Sequence, residues 1–277
     1  MRNIAGMMAA GLIGLSSLSF VSCGGGGNSA SVAPPPAATN VVSVVVDAGP
    51  DPVNNPTANT LYTTVTVCVP GSTTECQTID HVQVDTGSYG LRILAPVLTL
   101  SLAVTQATDG NSLVECTQFV DGYSWGPIAL ADIQVGGEAA SSVPIQVIGS
   151  ANFATVPAAC SGTGRAEDTV AAFGANGILG IGVFEQDCGS GCAAPNSANG
   201  FYYSCTGSVC AETAAPLSSQ VLNPVPLFPV DKNGSIIVLP SVPDAGATTV
   251  AGSLIFGIDT QSNNASGSET ILALDGS

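Results

Sequence analysis

Positive charge is what this sequence has least of. Its 277 residues carry 4 Lys and Arg against 20 Asp and Glu, a formal net charge of −16. Such a surface repels phosphate backbones, and no basic patch is present to neutralise them, which excludes nucleic acid as a partner. Histidine occurs once. With no Ser or Cys partner apparent, His81 reads as a residue of an alternating strand and not as a catalytic base. Charged residues make up only 9% of the chain, so the long-chain helix formers are scarce. Few segments repeat at a helical period, and Val97–Val104 is one short candidate. What is there is apolar: 45% hydrophobic residues, enough for a core and too many for a disordered chain. Val, Thr and Ser are abundant beside 33 Gly and 18 Pro, the composition of short strands joined by turns.

Strands are expected at Val41–Val46, Leu61–Val69, Thr78–Val84, Leu91–Leu94, Val143–Ile148, Ile236–Leu239 and Ser253–Ile258, with an apolar, Gly-punctuated segment at Gly177–Gly182 and a Pro- and Asn-rich loop at 47–60. Gln118–Tyr123 and Trp125–Val135 read as a hairpin turning near Asp121–Gly122. Glu138, after Gly136–Gly137, reads as a hairpin tip, and Asp231–Lys232–Asn233–Gly234 as a solvated turn. Residues 185–216 form a Cys-, Gly- and Asn-rich insertion. The fold class is mostly β and barrel-like, not a parallel sheet flanked by helices. Residues 41–260 form one lobe. After Thr260 the composition turns to Gly, Ser and Asn, and Ile271–Leu274 reads as the start of a new strand. Residues 261–277 are therefore expected to lead into a second lobe beyond Ser277.

Met1–Arg2 is a short positive start, followed by an apolar run from Ile4 to Val21, then Cys23 and four glycines. This is a secretory signal, residues 1–22. It resembles a bacterial lipoprotein signal, with the box Phe20–Val21–Ser22–Cys23; an ordinary signal peptide or an uncleaved anchor are the alternatives. The lipoprotein resemblance implies that Cys23 is lipidated, that residues 23–40 tether a domain to the membrane, and, with Gly24 following, that the address is the outer membrane. Signal removal leaves Arg92, Arg165 and Lys232 as the basic side chains. Of nine Cys, Cys68, Cys76, Cys116, Cys160, Cys188, Cys192, Cys205 and Cys210 then remain, an even number in an exported chain, which reads as up to four disulfides. Cys68 and Cys76 flank a turn between two strands and are the best pair. For Cys188, Cys192, Cys205 and Cys210 zinc is the competing reading, although C-x3-C…C-x4-C is not a usual zinc spacing.

The chemistry-bearing stretch is "IDHVQVDTGSYGLRIL", in which an alternating strand runs into Asp85–Thr86–Gly87–Ser88. With "LYTTVTV" before it, "FVDGYSWGPIALADIQVGG" and "NGILGIG" after it, and "GSLIFGID" more weakly, it resembles the N-terminal lobe of pepsin-like aspartic peptidases over residues 60–182 and 250–260. The whole chain also resembles a group of proteobacterial lipoproteins known only as a domain of unknown function. The first resemblance implies that Asp85 is one of two catalytic carboxylates sharing a proton, one acting as base on a water and the other as acid. It implies that Thr86 locks the loop to a counterpart loop, that Gly87 lends its N–H, that Ser88 bonds the carboxylate, and that Ile178, Leu179 and Gly180 pack beneath. Phe119, Asp121, Gly122, Tyr123 and Trp125 would form the flap, with Tyr123 or Trp125 near enough to substitute for the tyrosine usual at the position of Phe119.

Three departures bear on activity. No second Asp-Thr-Gly or Asp-Ser-Gly occurs, the flap position holds Phe119, and Arg92 stands where tryptophan is usual. Arg92 is expected to pair with a carboxylate. Two readings follow: a lipid-anchored aspartic endopeptidase whose second Asp lies outside this chain, acting on a peptide or protein, or an inactive pepsin-like binding module of the cell envelope facing the periplasm or the cell surface. A homodimer joining two copies of Asp85 is the variant that applies if the chain ends at Ser277. The residues suggest no cofactor and no metal site.

Overall fold

The computed structural model describes residues 39–51, 53–195 and 199–270. The signal, Cys23 and the strand expected at Ile271–Leu274 lie outside the described residues. The domain starts slightly before the expected end of the tether. Asn40 is buried and its amide donates to the Phe256 carbonyl at 2.7 Å, so the last tether residue belongs to the folded part.

Among the described residues thirteen strands follow in order: β1 Val41–Val46, β2 Leu61–Cys68, β3 Cys76–Asp85, β4 Tyr89–Leu94, β5 Ser112–Gln118, β6 Gly122–Val135, β7 Glu138–Ile148, β8 Arg165–Ala166, β9 Gly177–Ile181, β10 Tyr202–Thr206, β11 Val209–Glu212, β12 Ser235–Val238 and β13 Val250–Phe256. The helices are single turns, α1 Ala158–Ser161, α2 Val170–Phe173 and α3 Ser190–Ala193. The mostly β class thus holds, in a chain whose Val- and Thr-rich segments favour the pleated conformation.

Six strands close on themselves. β6 pairs with β7, β7 with β4, β4 with β9, β9 with β3, β3 with β2, and β2 returns to β6. Closure leaves no free edge within this ring. Its interior is filled by alternating apolar residues, among them Val65, Val67, Val82, Leu91, Ile93, Ile133, Ile145 and Leu179. β1, β13 and β12 extend the sheet beyond β2. On the other side, the first half of β6 leaves the ring to pair with β5, which continues through β10 to β11. One long strand therefore belongs both to the barrel and to an outlying hairpin.

Two expectations change, one gains detail and the disulfide expectation holds. The hairpin arms are β5 and β6, and the turn is Phe119–Asp121, closed by the Phe119 N–H donating to the Gly122 carbonyl at 2.8 Å. The apolar run of "SLVECTQ", interrupted by Glu115, hid the first arm. Val97–Val104 is not a helix: it runs as turn and irregular chain, ending in a bridge from Val104 to Ala129. Gln77 there takes the Thr99 N–H at 2.7 Å, and Val97, Leu98, Leu100 and Leu102 pack singly against the core. The 185–216 insertion carries the β10–β11 hairpin. The eight cysteines form Cys68–Cys76, Cys116–Cys160, Cys188–Cys192 and Cys205–Cys210, so disulfides and not zinc occupy the four clustered ones.

His81 lies in a bulge of β3 opposite Thr63–Val65, at φ 46°. It sits 3.3 Å from Asp47 and 3.3 Å from Asp80, remote from the strand end that carries Asp85. Glu138 does open β7 after a two-glycine turn, but it is buried there, with its pKa raised by burial and by Asp231.

Candidate active site: a cleft between the Asp85 loop and the β5–β6 hairpin

Asp85 is the last residue of β3, and β4 starts four residues later, yet β3 and β4 do not pair. β9 runs between them, parallel to β3 and antiparallel to β4. The Thr86–Ser88 turn must therefore arch over β9. Gly180 stands in register with Asp85 beneath that arch. A Cβ on Gly180 would lie 2.5 Å from the Tyr89 nitrogen and 2.6 Å from the Ser88 carbonyl carbon, so only glycine fits. Ile178 and Leu179 are buried in the same strand, and the Gly182 N–H holds the Ser88 carbonyl at 3.0 Å.

Within the turn, the Gly87 N–H donates to Asp85 Oδ1 at 2.9 Å, an Asx-type turn that fixes the carboxylate against its own backbone. Thr86 is exposed and meets no counterpart loop among the described residues. Ser88 differs from expectation: its Oγ is buried without a hydrogen-bond partner and does not reach the carboxylate.

Above this loop lies a cavity of ≈ 380 Å³ lined by Asp85, Ser88, Tyr89, Arg92, Phe119 and Val120, with Glu115, Thr117 and Asp187 on its wall. Phe119 and the fully exposed Val120 form the hairpin tip over it, and Phe119 rests edge-on against Phe173 at 6.0 Å. Asp121 is exposed at the turn, and Gly122 is buried against β8. A second groove of ≈ 760 Å³ adjoins the cavity, sharing Tyr89 and Asp187 with it.

Tyr123 and Trp125 do not face this cavity. They sit on the opposite side of the hairpin, in a cluster with Cys116, Cys160 and Tyr203. Trp125 Nε1 donates to the Phe153 carbonyl at 2.8 Å. Strand alternation decides this: cavity-facing Glu115 and Thr117 bracket Cys116, whose cross-strand partner is Trp125. Neither ring can stand in for a flap tyrosine.

Arg92 is almost fully buried and makes four hydrogen bonds. Its Nε donates to Thr117 Oγ1 at 2.9 Å and its Nη1 to the Tyr89 carbonyl at 2.7 Å. Its Nη2 holds two carboxyl groups at once, Glu115 at 2.7 Å and Asp187 at 2.8 Å. Asp187 also accepts from the Tyr202 hydroxyl at 2.7 Å. Burial pulls the Arg92 pKa down, and the two carboxyl groups more than reverse it. Burial pushes Glu115 up, but the Arg92 charge and hydrogen bonds from Asp187, Arg92 and Thr117 hold it below the carboxylate range. Asp187 goes the other way: burial and then the Glu115 charge raise it well above that range. The Tyr202 hydroxyl is likewise raised, by burial and then by the two acids.

The expected Arg92–carboxylate pair is thus real, but its partners were not foreseen. Glu115 had a signal, a lone charge inside an apolar strand; Asp187 had none, being one polar residue in a loop-rich insertion. No group of three or more side chains suited to a metal ion occurs among the described residues.

Among solved structures, the chain is similar to the crystal structure of aspartic proteinase from Irpex lacteus, at 16% identity and a TM-score of 0.43, over 82% of this chain and 50% of that one. The chain thus spans half the length of that proteinase. No curated protein matches it. The family described as Protein of unknown function (DUF3443) matches residues 36–276, and the chain belongs to that family.

Proposed function

We propose that this chain is a peptide-binding lobe with hydrolytic chemistry, in which Asp85 activates the water that attacks a peptide carbonyl. The observation that carries this reading is the placement of Asp85: at a strand end, held by the Gly87 N–H, at the wall of a ≈ 380 Å³ cavity roofed by a hairpin tip. Asp85 is half-buried and one of its oxygens is taken by its own loop, which leaves the other for a water. The apolar Tyr89, Phe119 and Val120 suit side chains of an extended peptide, and the adjoining groove lengthens the track. The test is cleavage of an unfolded protein substrate at acid pH. Wild type should cleave, a transition-state peptide inhibitor such as pepstatin should block it, and Asp85→Ala should lower kcat by about 100-fold or more while the protein stays folded. Absence of cleavage by folded wild type would overturn the reading.

One observation favours a second reading, a binding module without catalysis. The Ser88 hydroxyl, which the resemblance assigns to the carboxylate, bonds to nothing, so Asp85 is held by its own turn alone. In that case wild type and Asp85→Ala would bind the same peptides and cleave none.

We also propose that the domain is held at the bacterial outer membrane by a lipid on Cys23. The signal-like residues 1–22, the Gly-, Ser- and Pro-rich stretch after them, and four disulfides, which persist in oxidising compartments, support this. Metabolic labelling with a radioactive fatty acid should mark the wild type and not Cys23→Ala, which should be released from membranes.

A further inference from the structure

Four groups from three strands and one loop converge on the wall of the cavity: Arg92 of β4, Glu115 of β5, Tyr202 of β10 and Asp187, which precedes Cys188. They hold two acids and one guanidinium where water does not reach, since Arg92 and Glu115 are 1% and 0% exposed. One Arg92 nitrogen contacts both carboxyl groups, so the two acids lie side by side. If both were ionised, the buried cluster would carry an uncompensated negative charge. Glu115 Oε2 is also buried without a hydrogen-bond partner. A single proton on Asp187 makes the cluster neutral and adds a donor beside Glu115. The two acids differ in access. Glu115 is sealed, whereas Asp187 keeps 7% of its side chain open and lines both the cavity that contains Asp85 and the neighbouring groove.

We propose that Asp187 is the proton donor of this cleft, keeping the proton it shares with Glu115 and passing it to a bound peptide's carbonyl oxygen while Asp85 activates the water. The inference rests on the hydrolytic reading above and supplies, from within the lobe, the acid that Asp85 by itself lacks. The step balances. Asp85 takes a proton from water as the water oxygen bonds to the carbonyl carbon. The carbonyl π pair moves to oxygen, which takes the proton of Asp187, leaving a neutral gem-diol. Asp187 and Glu115 are then both anionic, with the Arg92 charge and the Tyr202 hydroxyl stabilising the second charge. In the return step Asp85 protonates the nitrogen and the C–N bond breaks. One gem-diol hydroxyl proton goes back to Asp187 as the acid product forms. Neither Glu115 nor Arg92 touches substrate; both are positioning residues that set where the proton rests.

The experiment has a spectroscopic arm and a kinetic arm, both on the complete folded domain. Infrared difference spectra at pH 7 should show the carbonyl stretch of a protonated carboxyl group. It should persist in Asp85→Asn and vanish in Asp187→Asn. It should also vanish in Glu115→Gln, whose amide would donate to Asp187 and let it ionise. Asp187→Asn keeps the shape and the Tyr202 and Arg92 partners, and near-ultraviolet circular dichroism confirms its fold. It should lower kcat about 100-fold or more with KM little changed. A protonated-carboxyl band whose intensity is unchanged in Asp187→Asn, or folded Asp187→Asn with wild-type kcat, overturns the donor role while leaving Asp85 as base. Folded wild type without any hydrolysis overturns the hydrolytic reading, and the donor role with it.

Discussion

At the scale of single residues, the molecule turns on one buried arginine beside the Asp85 turn. Arg92 occupies the strand that leaves the Asp85 turn, and its guanidinium ties that turn, through the Tyr89 carbonyl, to Glu115 on the hairpin and Asp187 on the insertion. Removing one side of such a buried cluster strands the other. Arg92→Met should destabilise the domain by about 3–5 kcal/mol, measured as a lowered midpoint in urea unfolding. A loss below about 1 kcal/mol would mean that the acids neutralise each other by proton sharing alone. Arg92 was legible as a paired cation because so few positive charges are available. Its partners lie 23 and 95 positions away, and no local pattern connects them.

At the scale of elements, the β5–β6 hairpin is held from behind. Cys116 of β5 is bonded to Cys160 of α1, both fully buried beside Trp125 and Tyr203. The disulfide closes a loop of 44 residues, for which lost chain entropy in the unfolded state gives about 4 kcal/mol. The double variant Cys116→Ala/Cys160→Ala should lose about 2–5 kcal/mol by chemical denaturation. It should also exchange the amide hydrogens of β5 and the β6 N-terminal half faster than those of the ring strands, since it frees the back of the hairpin. Equal acceleration throughout would show that the hairpin and the barrel open as one unit. The sequence marked the hairpin but shifted its first arm. Apolar Leu113 and Val114 beside Glu115 break the simple alternation, because β5 is covered on both faces, by the Trp125 cluster and by the Arg92 cluster.

For the whole molecule, the excess of acid meets a set of buried carboxyls. Asp187, raised first by burial and then by Glu115, and Glu138 and Glu167, each raised first by burial, bind protons more tightly folded than unfolded. Their contribution to stability is complete below the unfolded pKa of about 4 and is lost as pH rises through the folded values. Glu115, whose pKa is lowered, acts in the opposite sense: its contribution is present above about pH 4 and is lost as pH falls through the folded value. Between the unfolded carboxyl value of about 4 and the folded values, urea midpoints should therefore fall as pH rises, and Asp187→Asn should flatten that decline. A midpoint that climbs over this interval would contradict the raised carboxyls.

The sequence by itself determined the class of fold, the positions of most strands, the turn at Asp85 and the oxidised state implied by eight cysteines. These are set by local rules: side-chain alternation, turn chemistry and an even cysteine count. Only the tertiary structure decided that β9 threads between β3 and β4, that Tyr123 and Trp125 face away from the cleft, and that Glu115 and Asp187 meet on one nitrogen of Arg92. Those outcomes depend on which face of each strand is turned inward and on contacts between distant positions. Ring closure fixes both, and no single segment encodes either.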